Sequence, residues 1–213
     1  MSMPGQPVQS RSREPEVVPA DVADVDVLSQ LIADAFYDLA PSRWLVSDPD
    51  ARWEIFPGYF RIYVEHALTE GTVHTTPDRA AAALWLPIGI HPPAPTPGYD
   101  ARLRAATSSY TDRFQAFDKA LDRHHPAGTA HHYLAILAVR PDQQGQGTGT
   151  ALLRAHHATL DDAGISAYLE ASDLRTRRLY LAHGYADHGS PIHLARGPLM
   201  HPMWRDPQAR NVP

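Results

Sequence analysis

The chain has 213 residues and a formal net charge of −5, a length that suits one domain with a substantial core. Its acidic balance argues against a general binder of nucleic acid or of membrane surfaces, because both need a basic excess. The absence of cysteine excludes disulfides, a thiolate nucleophile and cysteine-ligated zinc. The sequence shows neither an apolar signal core nor an apolar run of membrane length, so we expect a cytoplasmic protein.

The first half of the chain predicts a tail, two helices and two strands. Residues 1–15 are polar and aperiodic, which predicts a disordered tail before one domain over 16–205 and a C-terminal tail over 206–213. From Asp21, a predicted N-cap, apolar residues follow one helix face to Phe36. After a turn at 47–50, residues 56–68 predict a second helix, with Pro57 near its start or at a kink. Residues 72–75 and 80–86 are typical of paired strands.

The middle of the chain is a proline-rich segment followed by helical sequence. Residues 91–98 contain four prolines and cannot form regular structure; they could shape a substrate pocket or serve only as a spacer. Residues 100–123 predict a helix or a pair of helices, and an apolar strand follows from Tyr133 to Val139. The thirteen histidines form no H-E-x-x-H arrangement, so we expect no metal site.

The segment after that strand has the pattern of a phosphate site. Gln-Gly-Gln-Gly-Thr-Gly at 144–149 lies between the strand and a helical pattern that carries Leu152, Leu153, His156 and Leu160. The first N–H groups of a helix have no internal partner and lie at the positive end of its dipole. Glycine lets a ligand approach the backbone closely. The segment therefore predicts a site for a phosphate-containing cofactor.

Spacing decides between three kinds of phosphate loop. A nucleotide-triphosphatase loop needs a lysine after its last glycine, whereas Gly149 is followed by Thr150 and Ala151. A dinucleotide fold needs G-x-G-x-x-G directly after the strand, whereas these glycines run G-x-G-x-G and begin at Gly145. The third pattern, Gln/Arg-x-x-Gly-x-Gly/Ala, is matched by Gln144, Gly147 and Gly149.

That third pattern resembles the cofactor loop of the GCN5-related N-acetyltransferases (GNAT family). The family's second signature, Tyr-x-x-x-Gly-Phe/Tyr, is matched by Tyr180, Gly184 and Tyr185, and residues 167–172 resemble the intervening strand. From roughly Pro19 to Tyr185 the layout is also similar to that of puromycin N-acetyltransferase-like actinobacterial members. The resemblance implies a single α/β (α+β) domain. It would have a central mixed, mostly antiparallel sheet of about six or seven strands, a splayed parallel strand pair, and helices on both faces.

The resemblance also implies acetyl-CoA (coenzyme A) as the cofactor. Pantetheine would insert at the splay and pair with the backbone of Leu137, Ala138 and Val139, and the loop would hold the pyrophosphate. The loop residues concerned are Gln144, Gly145, Gln146, Gly147, Thr148, Gly149 and Thr150. Many relatives carry Asn where this chain has Thr176, and Thr offers fewer hydrogen bonds than a side-chain amide. Arg178, in a run of arginines, could meet a nucleotide phosphate or be an exposed helix face.

Two residues are candidates for proton transfer. Tyr180 matches the tyrosine beside the cofactor sulfur and is the candidate general acid, although it could also be a core tyrosine. Glu170 is the candidate base, provided that an apolar setting raises its pKa; it could also be structural. Period-two alternation puts His132 on the strand face opposite Val139, and we expect a structural role for it.

The sequence thus predicts an enzyme that transfers acetyl directly from acetyl-CoA to a primary amine of a small molecule, with antibiotics among the candidate acceptors. Two alternatives remain open at this point: an acyl-CoA-binding sensor without catalysis, and a protein N-acetyltransferase. We expect a monomer or homodimer with no nucleic-acid or membrane partner. The sequence does not decide between Glu170, His132 and water as the base.

Overall fold

The computed structural model of the chain describes residues 14–91, 96 and 98–209. The predicted N-terminal tail up to residue 13, most of the proline-rich segment and the last four residues lie outside that part. The helices are α1 (Val25–Phe36), α2 (Ala40–Leu45), α3 (Pro49–Glu70), α4 (Tyr99–Thr107), α5 (Thr111–Asp122), α6 (Thr148–Ala163) and α7 (Leu174–Leu181). The strands are β1 (Val18–Pro19), β2 (Thr72–Thr75), β3 (Ala81–Ile88), β4 (His131–Val139), β5 (Ser166–Ala171), β6 (Ala186–Asp187), β7 (Ile192–His193) and β8 (Leu199–Arg205).

The strands form one mixed sheet in the order β1-β2-β3-β4-β5-β8-β6, and β7 adds to β8. All recorded pairs are antiparallel except β4 with β5. The parallel pair is in register only where His131–Tyr133 meets Ser166–Tyr168. Beyond it, β4 stays paired with β3 and β5 with β8, so the two strands diverge. The predicted fold class, including the splayed pair, is confirmed; the short strands β1, β6 and β7 were not predicted.

Apolar residues are buried on both faces of this sheet. On one face α1, α3 and α5 pack against Leu84, Ile136 and Ala138. On the other face α6 packs against Trp85 and Leu134. Such burial gains about 25 cal/mol for each Å² of apolar surface removed from water, which holds the helices against the sheet and fixes where its strands diverge.

A β-bulge in β4 changes which face each side chain occupies. Leu84 pairs with Ile136, but its neighbour Trp85 pairs with Leu134, so Ala135 is an extra residue opposite this step. An extra residue interrupts the period-two alternation of a strand. The placement of His132 opposite Val139 was therefore wrong. His132 bonds to His156 of α6, and Val139 also faces α6 because its Cγ2 atom lies 3.7 Å from a Cβ built on Gly149.

The helix boundaries differ from the predictions at α2 and α3. Asp48 is the N-cap of α3 and accepts hydrogen bonds from the N–H groups of Asp50 (2.9 Å) and Ala51 (3.4 Å). Pro49 follows at the first helical position, where its missing N–H costs nothing. The segment 47–50 is thus a helix start, and Pro57 lies inside α3 rather than near its start. The α2 helix was not predicted, whereas residues 100–123 do form a helix pair, α4 and α5.

Candidate active site

A cavity of about 550 Å³ opens where β4 and β5 diverge. One end is lined by α1, α2, α3 and α5, and the other by the glycine loop and α7. Most of the predicted site residues line it: Leu137, Ala138, Val139, Gln144, Gly145, Gly147, Thr148, Gly149, Thr150, Glu170, Thr176 and Tyr180. Gln146 and Arg178 are not part of the lining. The divergence of two strands therefore brings together residues that are far apart in the sequence.

The glycine loop leads directly into α6. Gly145 and Gly147 have φ angles of +79° and +89°, a region that other residues enter at a cost of about 1–2 kcal/mol. Gly147 is the N-cap, and the hydrogen bond from the Ala151 N–H to its carbonyl oxygen is 3.0 Å long. The N–H groups of the first turn, at 148–150, have no carbonyl partner within the helix. They lie at the cavity, at the positive end of the α6 dipole.

These features fit the pyrophosphate and pantetheine parts of coenzyme A. Left-handed glycines and unpaired N–H groups at a helix start are suited to a diphosphate. After Tyr133, β4 has lost its parallel neighbour, so on that side its backbone polar groups can pair with an amide-bearing chain. The Gln144 Nε2 atom donates to the Val139 carbonyl oxygen at 3.1 Å and ties the loop to the strand end. The cavity thus offers a polar mouth and an extended strand edge.

Glu170 lies beside the divergence with its carboxyl group buried. The Tyr133 hydroxyl donates to Oε2 at 2.8 Å. Oε1 is buried and makes no hydrogen bond within the described part of the chain. Burial raises the pKa of Glu170 to about 7, and the hydroxyls of Tyr133 and then Tyr168 partly offset that rise. A carboxylate with a pKa near neutrality and a free acceptor atom in a cavity meets the requirements of a general base.

Tyr180 lines the same cavity from α7. Its ring packs edge-on against Tyr185 with centroids 5.7 Å apart, and the residue is only 8% exposed. Burial, reinforced by the carboxylate of Asp173, raises the pKa of Tyr180 above its ordinary value. Its hydroxyl therefore stays protonated across the physiological range and can act as a donor.

The contacts at the N-terminus of α7 determine which side chains of this helix are available to a cofactor. The N–H of Thr176 donates to Asp173 Oδ1 at 2.7 Å, and the Thr176 hydroxyl accepts from the N–H of Asp173 at 3.2 Å. This reciprocal capping box occupies the side chain for which a cofactor contact was predicted. Arg175 and Arg178 are both exposed, and of the two it is Arg175 that lines the cavity. Arg177 forms an ion pair with Asp187. Arg175 is thus the arginine of this run nearest to the predicted cofactor.

The His132 side chain belongs to a chain of three imidazoles on the α6 face of the sheet, in which His156 is buried and the other two are half-buried. Its Nδ1 atom is 3.0 Å from Nε2 of His156, whose Nδ1 atom is 3.2 Å from Nε2 of His74. Burial lowers the pKa of all three, that of His156 to about 3. His156 also stacks on Trp85. These contacts give His132 a structural position away from Glu170, whose Tyr133 partner is adjacent in β4 and points to the opposite face.

Several residues of the cavity were missed by sequence reasoning. Tyr133 is one; it pairs with Tyr168 in the parallel register, two residues before Glu170. Tyr59 and Tyr63 also line the cavity, with their hydroxyl oxygens 3.0 Å apart. Their i, i+4 spacing on an apolar helix face was the available signal. Behind them, the Tyr99 hydroxyl donates to Asp118 Oδ2 at 2.7 Å, and burial raises the pKa of Asp118 to about 6.

Comparison with known proteins agrees with this geometry. Residues 116–187, which include β4, α6, β5 and α7, match the family model for the acetyltransferase (GNAT) domain. A structure described as a histone acetyltransferase and related acetyltransferase from Corynebacterium glutamicum is 25% identical, with a TM-score of 0.70, and the match covers 94% of this chain and 100% of that one.

Two further structures share the fold at lower identity. Arylalkylamine N-acetyltransferase 2 from Aedes aegypti is 13% identical with a TM-score of 0.61, covering 92% of this chain and 100% of that one. Drosophila melanogaster polyamine N-acetyltransferase, which forms N-acetylagmatine, is 16% identical with a TM-score of 0.57, covering 90% and 100%.

The fold and the matched segment define an N-acetyltransferase. Within that class, residues 116–187 match the acetyltransferase (GNAT) domain, and both sequence motifs lie in this segment. The narrower similarity to puromycin N-acetyltransferases stays a prediction. No helix in the described ranges is long and apolar enough to cross a membrane. Among the same residues, no group of three or more His, Asp or Glu side chains could hold a metal ion.

Proposed function

We propose that this protein transfers the acetyl group of acetyl-CoA directly to a primary amine of a small molecule. The observation that carries the proposal is the convergence, in one cavity, of a helix start with unpaired N–H groups and a buried glutamate with a free oxygen. The proposal includes a cytoplasmic location and a monomeric or homodimeric state.

The cofactor site of this proposal follows the cavity from loop to strand. The N–H groups of 148–150, with Gly145 and Gly147 bending the loop, would hold the diphosphate. The free edge of β4 at 137–139 would hold the pantetheine amides. Arg175 lines the cavity on the side of the glycine loop and would supply positive charge to the cofactor phosphates. In this proposal Arg175, and not Arg178, makes the phosphate contact. When bound there, acetyl-CoA supplies an activated acetyl thioester.

Glu170 is the general base of the proposed reaction. An amine arrives mostly as an ammonium ion and must lose a proton before it can act as a nucleophile. Oε1 is free to accept that proton, while Oε2 is held by Tyr133. With a pKa of about 7, Glu170 is about half ionised at neutral pH and still basic enough to take a proton in the transition state.

Tyr180 is the proposed general acid at the sulfur end. Its raised pKa keeps the proton on the phenolic oxygen. A fixed, protonated hydroxyl contributes chiefly through its position, because a donor held next to the reacting atom avoids the entropy of a bimolecular encounter.

The proposal is tested first by calorimetric titration of acetyl-CoA and CoA into the purified protein, with NADH as the control ligand. We expect both CoA species to bind and NADH to give no heat. Release of free thiol with a panel of primary amines then tests catalysis. Binding without thiol release from any amine or peptide would favour the sensor hypothesis, and acetylation of peptides alone would favour a protein acetyltransferase. Absence of CoA binding would refute the cofactor assignment.

A further inference from the structure

The end of the cavity away from the glycine loop has a composition that restricts the acceptor. We infer that the acceptor is a monoamine with an apolar body of roughly aromatic size, and not a polyamine, a guanidino amine or an acidic amine. This inference rests on the proposed function, since it concerns the amine that Glu170 would deprotonate.

The wall of this end is contributed mainly by apolar side chains from five elements. The residues are Phe36, Leu39, Leu45, Phe60, Phe117 and Met200. Surfaces of this kind gain free energy by removing apolar ligand area from water, and aromatic rings add specific edge and face contacts. Phe60 already stands edge-on to Phe36, with centroids 5.5 Å apart. The wall therefore favours a ligand body that is apolar and rigid.

The three tyrosine hydroxyls at this end are already paired. The Tyr59 and Tyr63 hydroxyls bond to each other at 3.0 Å, and the Tyr133 hydroxyl donates to Glu170. Burial raises the pKa of Tyr59 and Tyr63 well above the ordinary value, so both remain neutral. A highly hydroxylated or peptide-like body would have to break these bonds to satisfy its own groups. Among these tyrosines and Glu170, Oε1 of Glu170 is therefore the atom left open to an acceptor, and Ser42 of α2 is the other polar side chain at this end.

The charged side chains that line this end of the cavity favour an acceptor with a single amino group. Glu170 is the carboxylate that lines this end within the described part of the chain; Asp173, also in the lining, caps α7 on the cofactor side. Asp118 lies outside the lining and receives the Tyr99 hydroxyl. A second ammonium or guanidinium group would thus lose its water without gaining a counter-charge, which is strongly unfavourable. No Lys, Arg or His of the described residues lines this end, so an acidic acceptor would face Glu170 with no compensating cation.

The test is binding selectivity of the CoA-saturated protein, measured by calorimetry with matched pairs of amines. 1-Pentylamine and 1,5-diaminopentane differ by one terminal amine, and 2-phenylethylamine and ethylamine differ by the ring. We expect 1-pentylamine to bind at least about 10-fold more tightly than the diamine, because a desolvated unpaired charge is costly. We expect 2-phenylethylamine to bind about 100-fold more tightly than ethylamine, because its ring buries roughly 110 Å² of additional apolar surface. Equal or tighter binding of the diamine, or of agmatine, would overturn the inference.

A charge-gain variant tests the same point from the protein side. Leu39 lines the apolar end and is the N-cap of α2, with extended φ and ψ of −62° and 147°. Asp and Asn are both favoured at an N-cap, so Leu39→Asp and Leu39→Asn form a pair that differs only in charge. We expect Leu39→Asp to bind 1,5-diaminopentane roughly fivefold or more tightly than Leu39→Asn does, with 1-pentylamine unchanged between the two. Equal diamine affinity in both variants would contradict the inferred position of the amine body.

Failure of the inference and failure of the proposed function give different results. If amines bind with the expected selectivity but no thiol is released, the inference holds and catalysis is refuted. If thiol is released and diamines are preferred, catalysis holds and the inference is refuted. If the protein binds neither CoA species, the cofactor assignment is refuted, and the same amine titrations on the free protein decide the inference.

Discussion

The substitution Tyr133→Phe tests whether Glu170 is the base without removing the carboxylate. The Tyr133 hydroxyl donates to Glu170 Oε2 at 2.8 Å, and this bond stabilises the ionised form, which lowers its pKa. Hydrogen bonds to charged groups contribute about 1.5–3 kcal/mol, and one pKa unit corresponds to about 1.36 kcal/mol. Loss of the hydroxyl is therefore expected to raise the pKa of Glu170 from about 7 by about one to two units.

The assay is kcat/KM as a function of pH with an amine that the wild-type protein acetylates. The acid limb of the profile should move from a midpoint near the pKa of about 7 to about 8 or higher. For a shift of one unit, kcat/KM should fall about fivefold at pH 7 and by roughly 10% at pH 9, since the fraction of ionised Glu170 changes in that ratio.

Two further variants complete this experiment. Tyr37→Phe removes a hydroxyl that donates to the Pro49 carbonyl oxygen outside the cavity, and its profile should match that of the wild type. Glu170→Gln should remove the limb together with most of the activity. An acid limb that stays in place in Tyr133→Phe would refute Glu170 as the titrating base.

Three other predictions concern the loop, the proposed acid and the buried charge. Gly147→Glu should abolish acetyl-CoA binding in calorimetry because it adds an anion at the diphosphate site. Gly128→Glu is the control: this residue has a similar φ of +79° but does not line the cavity, so the variant should still bind acetyl-CoA. Binding of acetyl-CoA by both variants would contradict the loop assignment. Tyr180→Phe should lower kcat by about 100-fold with acetyl-CoA affinity nearly unchanged, and an unchanged kcat would reduce Tyr180 to a packing role. Glu170 has a raised folded pKa, so its contribution to stability is full below the unfolded pKa of 4.5 and is lost as pH rises through about 7. Between pH 5 and pH 8.5, the free energy of unfolding of Glu170→Gln should therefore rise by about 2.5 kcal/mol relative to that of the wild type, as measured by denaturant unfolding. A pH-independent difference would show that the carboxyl group titrates normally.

Local patterns predicted the cofactor side of the cavity better than the acceptor side. Gly145 and Gly147 act through backbone conformation, and their spacing before a helix is visible in sequence. The same kind of local signal, Asp48 followed by Pro49, marks the start of α3, but these residues are also typical of a turn. The apolar periodicity of 56–68 begins further along the helix and does not show where the helix starts.

The acceptor side depends on contacts between distant segments. Tyr133 meets Glu170 only because β4 and β5 pair in one particular register. Tyr59 comes near Asp118 through the packing of α3 against neighbouring helices, with the Tyr59 and Phe114 rings 4.5 Å apart. No spacing rule within one element predicts such pairs. The misplacement of His132 has a related cause, because a bulge is defined by the partner strand as much as by its own sequence.

The extra residue at Ala135 also makes one point of β4 tolerant of a change in length. Upstream of it, Tyr133 turns towards Glu170; downstream, Leu137 and Val139 turn towards α6. Removing Ala135 would make Leu134, opposite Trp85, and Ile136, opposite Leu84, neighbours in a regular ladder, so Tyr133 would stay beside the carboxylate. A small side chain exchanged for another at 135 would leave both halves in phase. Natural variation in the length of β4 should therefore occur at this point of the strand.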